Sequence, residues 1–178
     1  NPSGKLPFSF PAKLTDCGAH AFDELSYPGD SIKQEYKEDI LVGYRWHDTK
    51  EIPALFPFGH GLSYTTFTYG KPVASADGTL TVTVAVKNTG SIAGKEIVQL
   101  YVGDDKCSVL RPVKELKHFA KVGLAPGEEK SVTFTLTPDD LKFYDEASAA
   151  WKYEPGKFKA YVCASSADVR GVVPFEMQ

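Results

Sequence analysis

The chain has 178 residues, enough to bury a core in one large domain or two small ones, and it changes character near residue 70. Its 20 basic and 23 acidic residues are spread through the sequence for a net charge of -3, which leaves no basic stripe for a phosphate backbone and excludes nucleic acid as a partner. No apolar run approaches the roughly 20 residues that span a bilayer, so no membrane role is expected. Three distant cysteines, Cys17, Cys107 and Cys163, allow at most one disulfide and form no C-x-x-C pair.

Taken in chain order, the sequence opens on Asn1-Pro2-Ser3-Gly4 without an initiator methionine or a charged-then-apolar leader, which reads as the interior of a longer polypeptide. Residues 1–69 are rich in Gly, Pro and aromatics and offer only short strand candidates, at 6–10 and 40–44. Residues 30–39 are mostly polar and read as a surface loop or a single helical turn. This region lacks the repeated apolar faces that close a core, so it is expected to lean on another surface. Read as a strand, "GYRWHD" puts Tyr44, Trp46 and Asp48 on one face and Arg45 and His47 on the other. The run "FPFGHGLSY" then places Phe56, Phe58 and Tyr64 around Gly59, His60 and Gly61. That composition suits a loop that wedges aromatics into a neighbouring surface.

From residue 70 the period becomes two. Residues 80–86 alternate apolar and polar after the turn signal Asp77-Gly78, and Asn88-Thr89-Gly90 is expected to end that strand through residues that tolerate positive φ. Residues 96–102 put Val98, Leu100 and Val102 on one side, and residues 131–136 and 157–162 alternate after Pro126-Gly127 and Pro155-Gly156. Between them, Arg111-Pro112 to Lys117 reads as an exposed, charged crossing, because proline excludes a central strand. Phe119, Phe134, Phe143, Trp151 and Phe158 are expected in the core, and Asp104-Asp105 and Asp145-Glu146 in solvated turns. Strands at this spacing predict one immunoglobulin-like antiparallel sandwich over residues 70–178.

The runs "NPSGKLPFSFP", "DILVGYRWHD" and "LFPFGHGLSYTTFTY" resemble, in order, the closing segments of the α/β sandwich domain of family 3 glycoside hydrolases. The later runs "VKNTGSIAGKEIVQLYVGD", "RPVKELKHFAKVGLAPGEEKSVTFTL" and "FYDEASAAWKYEPGKF" are similar to the fibronectin type III-like domain that ends many of these enzymes. The implied fold is therefore mainly β: a fibronectin type III-like sandwich over residues 70–178, preceded in residues 1–69 by the C-terminal segment of an α/β sandwich domain. The implied activity is that of a retaining β-glycosidase, a β-glucosidase or β-xylosidase, whose two carboxyl groups flank the scissile bond at roughly 5 to 5.5 Å from each other. In the family these groups belong to an N-terminal barrel and to an earlier part of the α/β domain, and neither motif occurs in these residues. The resemblance thus implies no catalytic residue in the chain and no cofactor or metal. Its expected partners are the missing barrel and α/β domains, with carbohydrate reached through them, and oligomerisation is left open. It implies a periplasmic or extracellular enzyme and leaves a cytoplasmic one open.

An interdomain seam is the preferred role for Tyr44, Arg45, Trp46, Phe56, Phe58, His60, Tyr64 and Arg111. Tyr44, Trp46, Phe58 and His60 are also the candidates for sugar contact, although His60 is expected as a buried imidazole bonded to backbone. Asp48 and Glu51 are the one carboxyl pair near the aromatics, placed on a turn rather than on rigid elements. His20, His47, His60 and His118 share no metal-ligand spacing. The other reading is a stand-alone sandwich module that binds carbohydrate or protein. A module has no use for an aromatic seam that mates with an absent partner, so the enzyme segment is preferred, with self-association of the isolated chain expected.

Overall fold

The computed structural model describes residues 1–178, the side chain of Asp77 excepted. The alternating runs become strands β1 (Phe67–Tyr69), β2 (Val73–Asp77), β3 (Thr79–Asn88), β4 (Gly94–Asp104), β5 (Glu115–Leu124), β6 (Glu129–Leu136), β7 (Phe143–Asp145), β8 (Ala150–Lys152), β9 (Gly156–Ser165) and β10 (Asp168–Met177). All pairings are antiparallel. One sheet centres on β3, with β6 along one edge and β1 and β2 following each other along the opposite edge. The other sheet runs β10-β9-β4-β5, and β7 and β8 form a separate hairpin. The two sheets bury one contiguous core in which Leu80, Val82, Val84 and Val86 of β3 face Val98, Leu100 and Val102 of β4, with Phe134, Phe158 and Val162. Each such side chain stabilises the fold by about 1.5 to 3 kcal/mol through removal from water.

Asn88 ends β3 by a different means than positive φ, which it does not adopt. Its fully buried amide donates to the carbonyls of Ile92 (2.9 Å) and Leu124 (3.1 Å) and accepts from Thr65 Oγ1 (2.6 Å) and the Gly90 N–H (3.0 Å). A side chain that satisfies four partners in the core fixes the strand end and ties Thr65 to it.

Three sequence expectations are corrected. Residues 40–44 form turns, and "YRWHDT" is a short helix, α1 (Tyr44–Thr49), entered through Gly43 at φ +62 and left through Glu51 at φ +55. Its side chains therefore fan out with helical rather than strand periodicity. Residues 6–10 form one bridge, Phe10 with Phe56, because Pro7, Pro11 and Pro57 remove the donors a longer ladder requires. Phe119 and Trp151 are exposed, at 67% and 66%, instead of buried. From His118 to Leu124 the alternation of β5 is unbroken, so Ala120, Val122 and Leu124 point to the core and Phe119 away from it; the bulge opposite Leu100 and Tyr101 lies ahead of this run. Trp151 lies on the β7-β8 hairpin, outside both sheets. Phe134, Phe143 and Phe158 are buried.

Candidate functional site

Strand β4 is buried on both faces. Val98, Leu100 and Val102 face the sandwich core, while Gln99 and Tyr101, which alternation would send to solvent, are 3% and 0% exposed. Residues 1–69 cover them. Tyr44 of α1 packs on Tyr101 at 5.6 Å between ring centroids and on Phe58 at 4.9 Å, and the Phe58 carbonyl accepts the Ser166 N–H at 2.8 Å. The Gln99 amide donates to the carbonyls of Ala164 (2.8 Å) and Gly59 (3.3 Å), and its Oε1 accepts the Tyr101 hydroxyl at 2.6 Å. Gly59 is required here: its φ is +80, and a Cβ would sit 2.4 Å from Gln99 Oε1. Burial pushes the Tyr101 hydroxyl above its ordinary range and the Cys163 thiol up to about 12, so both stay neutral in this apolar seam.

Charges pin the margin of the same surface. Asp48 of α1 meets Lys114 at 2.7 Å with both side chains nearly sealed, and Lys5 meets the buried Glu96 at 2.9 Å. Arg111, 9% exposed, bridges Glu115 (2.9 Å) and Asp104 (3.4 Å) and donates to the Leu141 carbonyl. Arg45 adds a 3.6 Å pair to Glu115, and the Tyr44 hydroxyl accepts the Leu116 N–H at 2.8 Å. Burial opposes ionisation of Glu115, yet Lys117, Arg111 and Arg45 together hold its carboxyl below the ordinary value. At Asp48 burial wins over Lys114 and the carboxyl lies above its ordinary value. The stretch 111–117 is therefore largely buried and paired rather than an exposed crossing: Arg111 and Lys114 are sealed by residues 1–69 and by the β7 region, and from Glu115 on it is the edge strand β5.

The structure brings Tyr44, Arg45, Phe58 and Arg111 together around this surface. Trp46 turns the other way, donating its indole N–H to the Asp16 carbonyl at 3.0 Å and meeting Phe22 edge-on. Phe56 packs on Phe10 and on His60. His60 is half-buried against Phe56, not a sealed imidazole held by backbone; that arrangement belongs to His47, whose Nδ1 lies 3.0 Å from the Ile52 carbonyl. Tyr64 is 73% exposed. Asp48 stands on the helix, not on a turn, and Glu51 sits just beyond it at φ +55. Sequence reasoning missed Gln99, Tyr101, Lys114 and Glu96. The signal for the first two was the run "IVQLYV", which carries no charge at its outward positions and so suits a strand buried on both faces.

Thirteen of the twenty-two exposed large apolar side chains among the described residues fall in the first 69, including Ile32 at 91%, Tyr36 at 75%, Leu62 at 74% and Tyr64. No helix of the structure is long and apolar enough to cross a membrane.

Residues 96–166 match the family model of the fibronectin type III-like domain. The chain is 67% identical over 98% of its length to the β-glucosidase BoGH3A of Bacteroides ovatus, and 51% identical over 95% to thermostable β-glucosidase B of Acetivibrio thermocellus. It spans 24% and 22% of those relatives, about a quarter of their length. Among solved structures it superposes on DesR, a β-glucosidase from Streptomyces venezuelae in complex with D-glucose, with TM-score 0.93 and 43% identity. That match covers 99% of this chain and 23% of the other. With β-glucosidase 3B from Thermotoga neapolitana the TM-score is 0.89 at 38% identity, over 98% of this chain and 24% of that one.

Proposed function

We propose that this chain, which belongs to the family 3 glycoside hydrolases as a C-terminal segment carrying their fibronectin type III-like domain, buttresses a retaining β-glycosidase that hydrolyses terminal β-linked glucose or related sugars. The observation that carries this reading is the uneven placement of apolar surface. Residues 70–178 bury a contiguous core and leave nine large apolar side chains exposed, whereas the shorter stretch 1–69 spends one side on β4 and leaves thirteen in water. An exposed apolar surface of that extent marks an interface. On this reading its occupants are the barrel and the rest of the α/β domain; in support, the relatives are about four times as long as this chain.

In this account residues 1–69 complete the α/β domain and residues 70–178 form the sandwich, with β1 already paired to β3 across that boundary. Tyr44, Arg45, Phe58 and Arg111 hold the two units in one orientation, and Trp46, Phe56, His60 and Tyr64 extend the seam outward. Catalysis by a carboxyl pair requires both groups free to face one glycosidic bond. Asp48 is committed to Lys114 and Glu51 lies on a strained turn, so the chemistry is assigned to the absent domains. Co-expression of this chain with a polypeptide spanning the preceding three quarters of a relative tests the reading. The expected result is a stable complex that hydrolyses an aryl β-glucoside and is weakened by Leu62→Asp and Tyr64→Asp. Two partners that purify separately, or a complex indifferent to both substitutions, would overturn it.

A further inference from the structure

The β7-β8 hairpin, the turn at residues 39–40 and the stretch before β5 enclose an open groove of about 530 Å³, within the size range of small-molecule sites. Two of its lining residues are aromatic and exposed: Trp151 at 66% and Tyr144 at 51%. They meet edge-on at 5.8 Å between centroids, an arrangement that leaves ring faces open to solvent. Its remaining lining is mixed, with apolar residues such as Ile40, Leu110 and Pro112 beside charged ones. Arg45 lines it with its Nη2 3.6 Å from Glu115, too long for a hydrogen bond, and its Nε is buried without a partner among the described residues. Three basic and four acidic side chains line the groove, so its charge is near balance and favours a neutral ligand with many hydroxyls over a phosphate or a polyanion.

From this juxtaposition we infer that the groove is a carbohydrate-binding site for a β-linked gluco-oligosaccharide. A β-glucopyranose ring carries its substituents equatorially and presents an apolar C–H face, which the Trp151 ring can cover, while the Arg45 guanidinium and the Glu115 carboxylate donate to and accept from its hydroxyls. The inference takes its sugar class from the β-glycosidase reading, but it concerns binding alone and stands or falls without hydrolysis.

The chain's two tryptophans make the site readable, since Trp46 is 6% exposed and shielded while Trp151 is in water. Titrating the whole chain with cellotetraose should give a saturable change in tryptophan emission that is absent with Trp151→Phe. By calorimetry, Trp151→Ala and Tyr144→Ala should each weaken binding about tenfold or more, with unchanged circular dichroism confirming the fold, and Arg45→Met should do the same. No saturable signal would overturn the inference, as would binding that survives Trp151→Ala. So would loss of acrylamide quenching of Trp151 in the complex with the remaining domains, because the groove would then be a domain contact. The co-expression result does not bear on the first two outcomes, so failure of one account is distinguishable from failure of the other.

Discussion

Gly59→Ala should open the seam between residues 1–69 and the sandwich while leaving the sandwich intact. At φ +80 an alanine costs about 1 to 2 kcal/mol through contact of its Cβ with the following carbonyl. The same Cβ would lie 2.4 Å from Gln99 Oε1 and 2.5 Å from Nε2, so the amide must leave. Its departure strands the Tyr101 hydroxyl, fully buried and bonded only to that oxygen, at about 1 to 3 kcal/mol, and frees the Ala164 carbonyl as well. The total, about 2 to 5 kcal/mol, falls on contacts that the core does not share. In native-state hydrogen exchange the Gly59 and Ser166 amides, bonded to the Leu6 and Phe58 carbonyls, should therefore lose about thirtyfold to a few thousandfold of protection. Amides of β3 that pair with β6 should be unchanged. A double-mutant cycle with Gln99→Ala separates the causes: if the amide clash dominates, Gly59→Ala adds only the backbone part in that background. Protection within threefold of wild type at Gly59 and Ser166 would refute the reasoning.

Lys114→Met should destabilise the chain by about 3 to 5 kcal/mol in urea unfolding, because it leaves the Asp48 charge sealed and unpaired, and adding Asp48→Asn should restore most of the loss. In acid the cluster around Arg111 weakens: Glu115 has a folded value below its unfolded one, so its contribution is complete above about pH 4.3 and disappears as pH falls through the folded value. Glu115→Gln should accordingly flatten the acid limb of Tm against pH. Asp48 acts with the opposite sign, since a raised folded value makes its share grow as pH falls, and a steeper acid limb in Asp48→Asn would show it. Thiol titration at pH 8 should find Cys17 and Cys107 in the native chain and Cys163 only after denaturation, because burial suppresses the Cys163 thiolate; three fast thiols would contradict the sealed seam.

The sandwich was legible because β3, β6 and β9 each bury a single face, so hydrophobicity alternates and turn residues punctuate it. Strand β4 hid its second buried face, since the cover for Gln99 and Tyr101 comes from residues 40 positions away or more, beyond any local pattern. The helix at "YRWHDT" reads as a strand in the sequence because six residues are too few for a 3.6 period to declare itself, and its boundaries depend on backbone angles at Gly43 and Glu51. Phe119 is outward by plain alternation with Ala120, Val122 and Leu124, so reading every aromatic of the sandwich as core overrode the local period. Trp151 escapes it because its hairpin belongs to neither sheet. The buried ion pairs Asp48–Lys114 and Lys5–Glu96 join residues 66 and 91 positions apart, a relation that only the tertiary fold creates.

The most direct test of the central claim is hydrolysis of an aryl β-glucoside and an aryl β-xyloside by the purified chain at high concentration, freed of host glycosidases. The account predicts no turnover by the chain alone. Turnover that disappears in Asp48→Asn or Glu51→Gln would contradict it, placing the catalytic carboxyl groups inside these 178 residues.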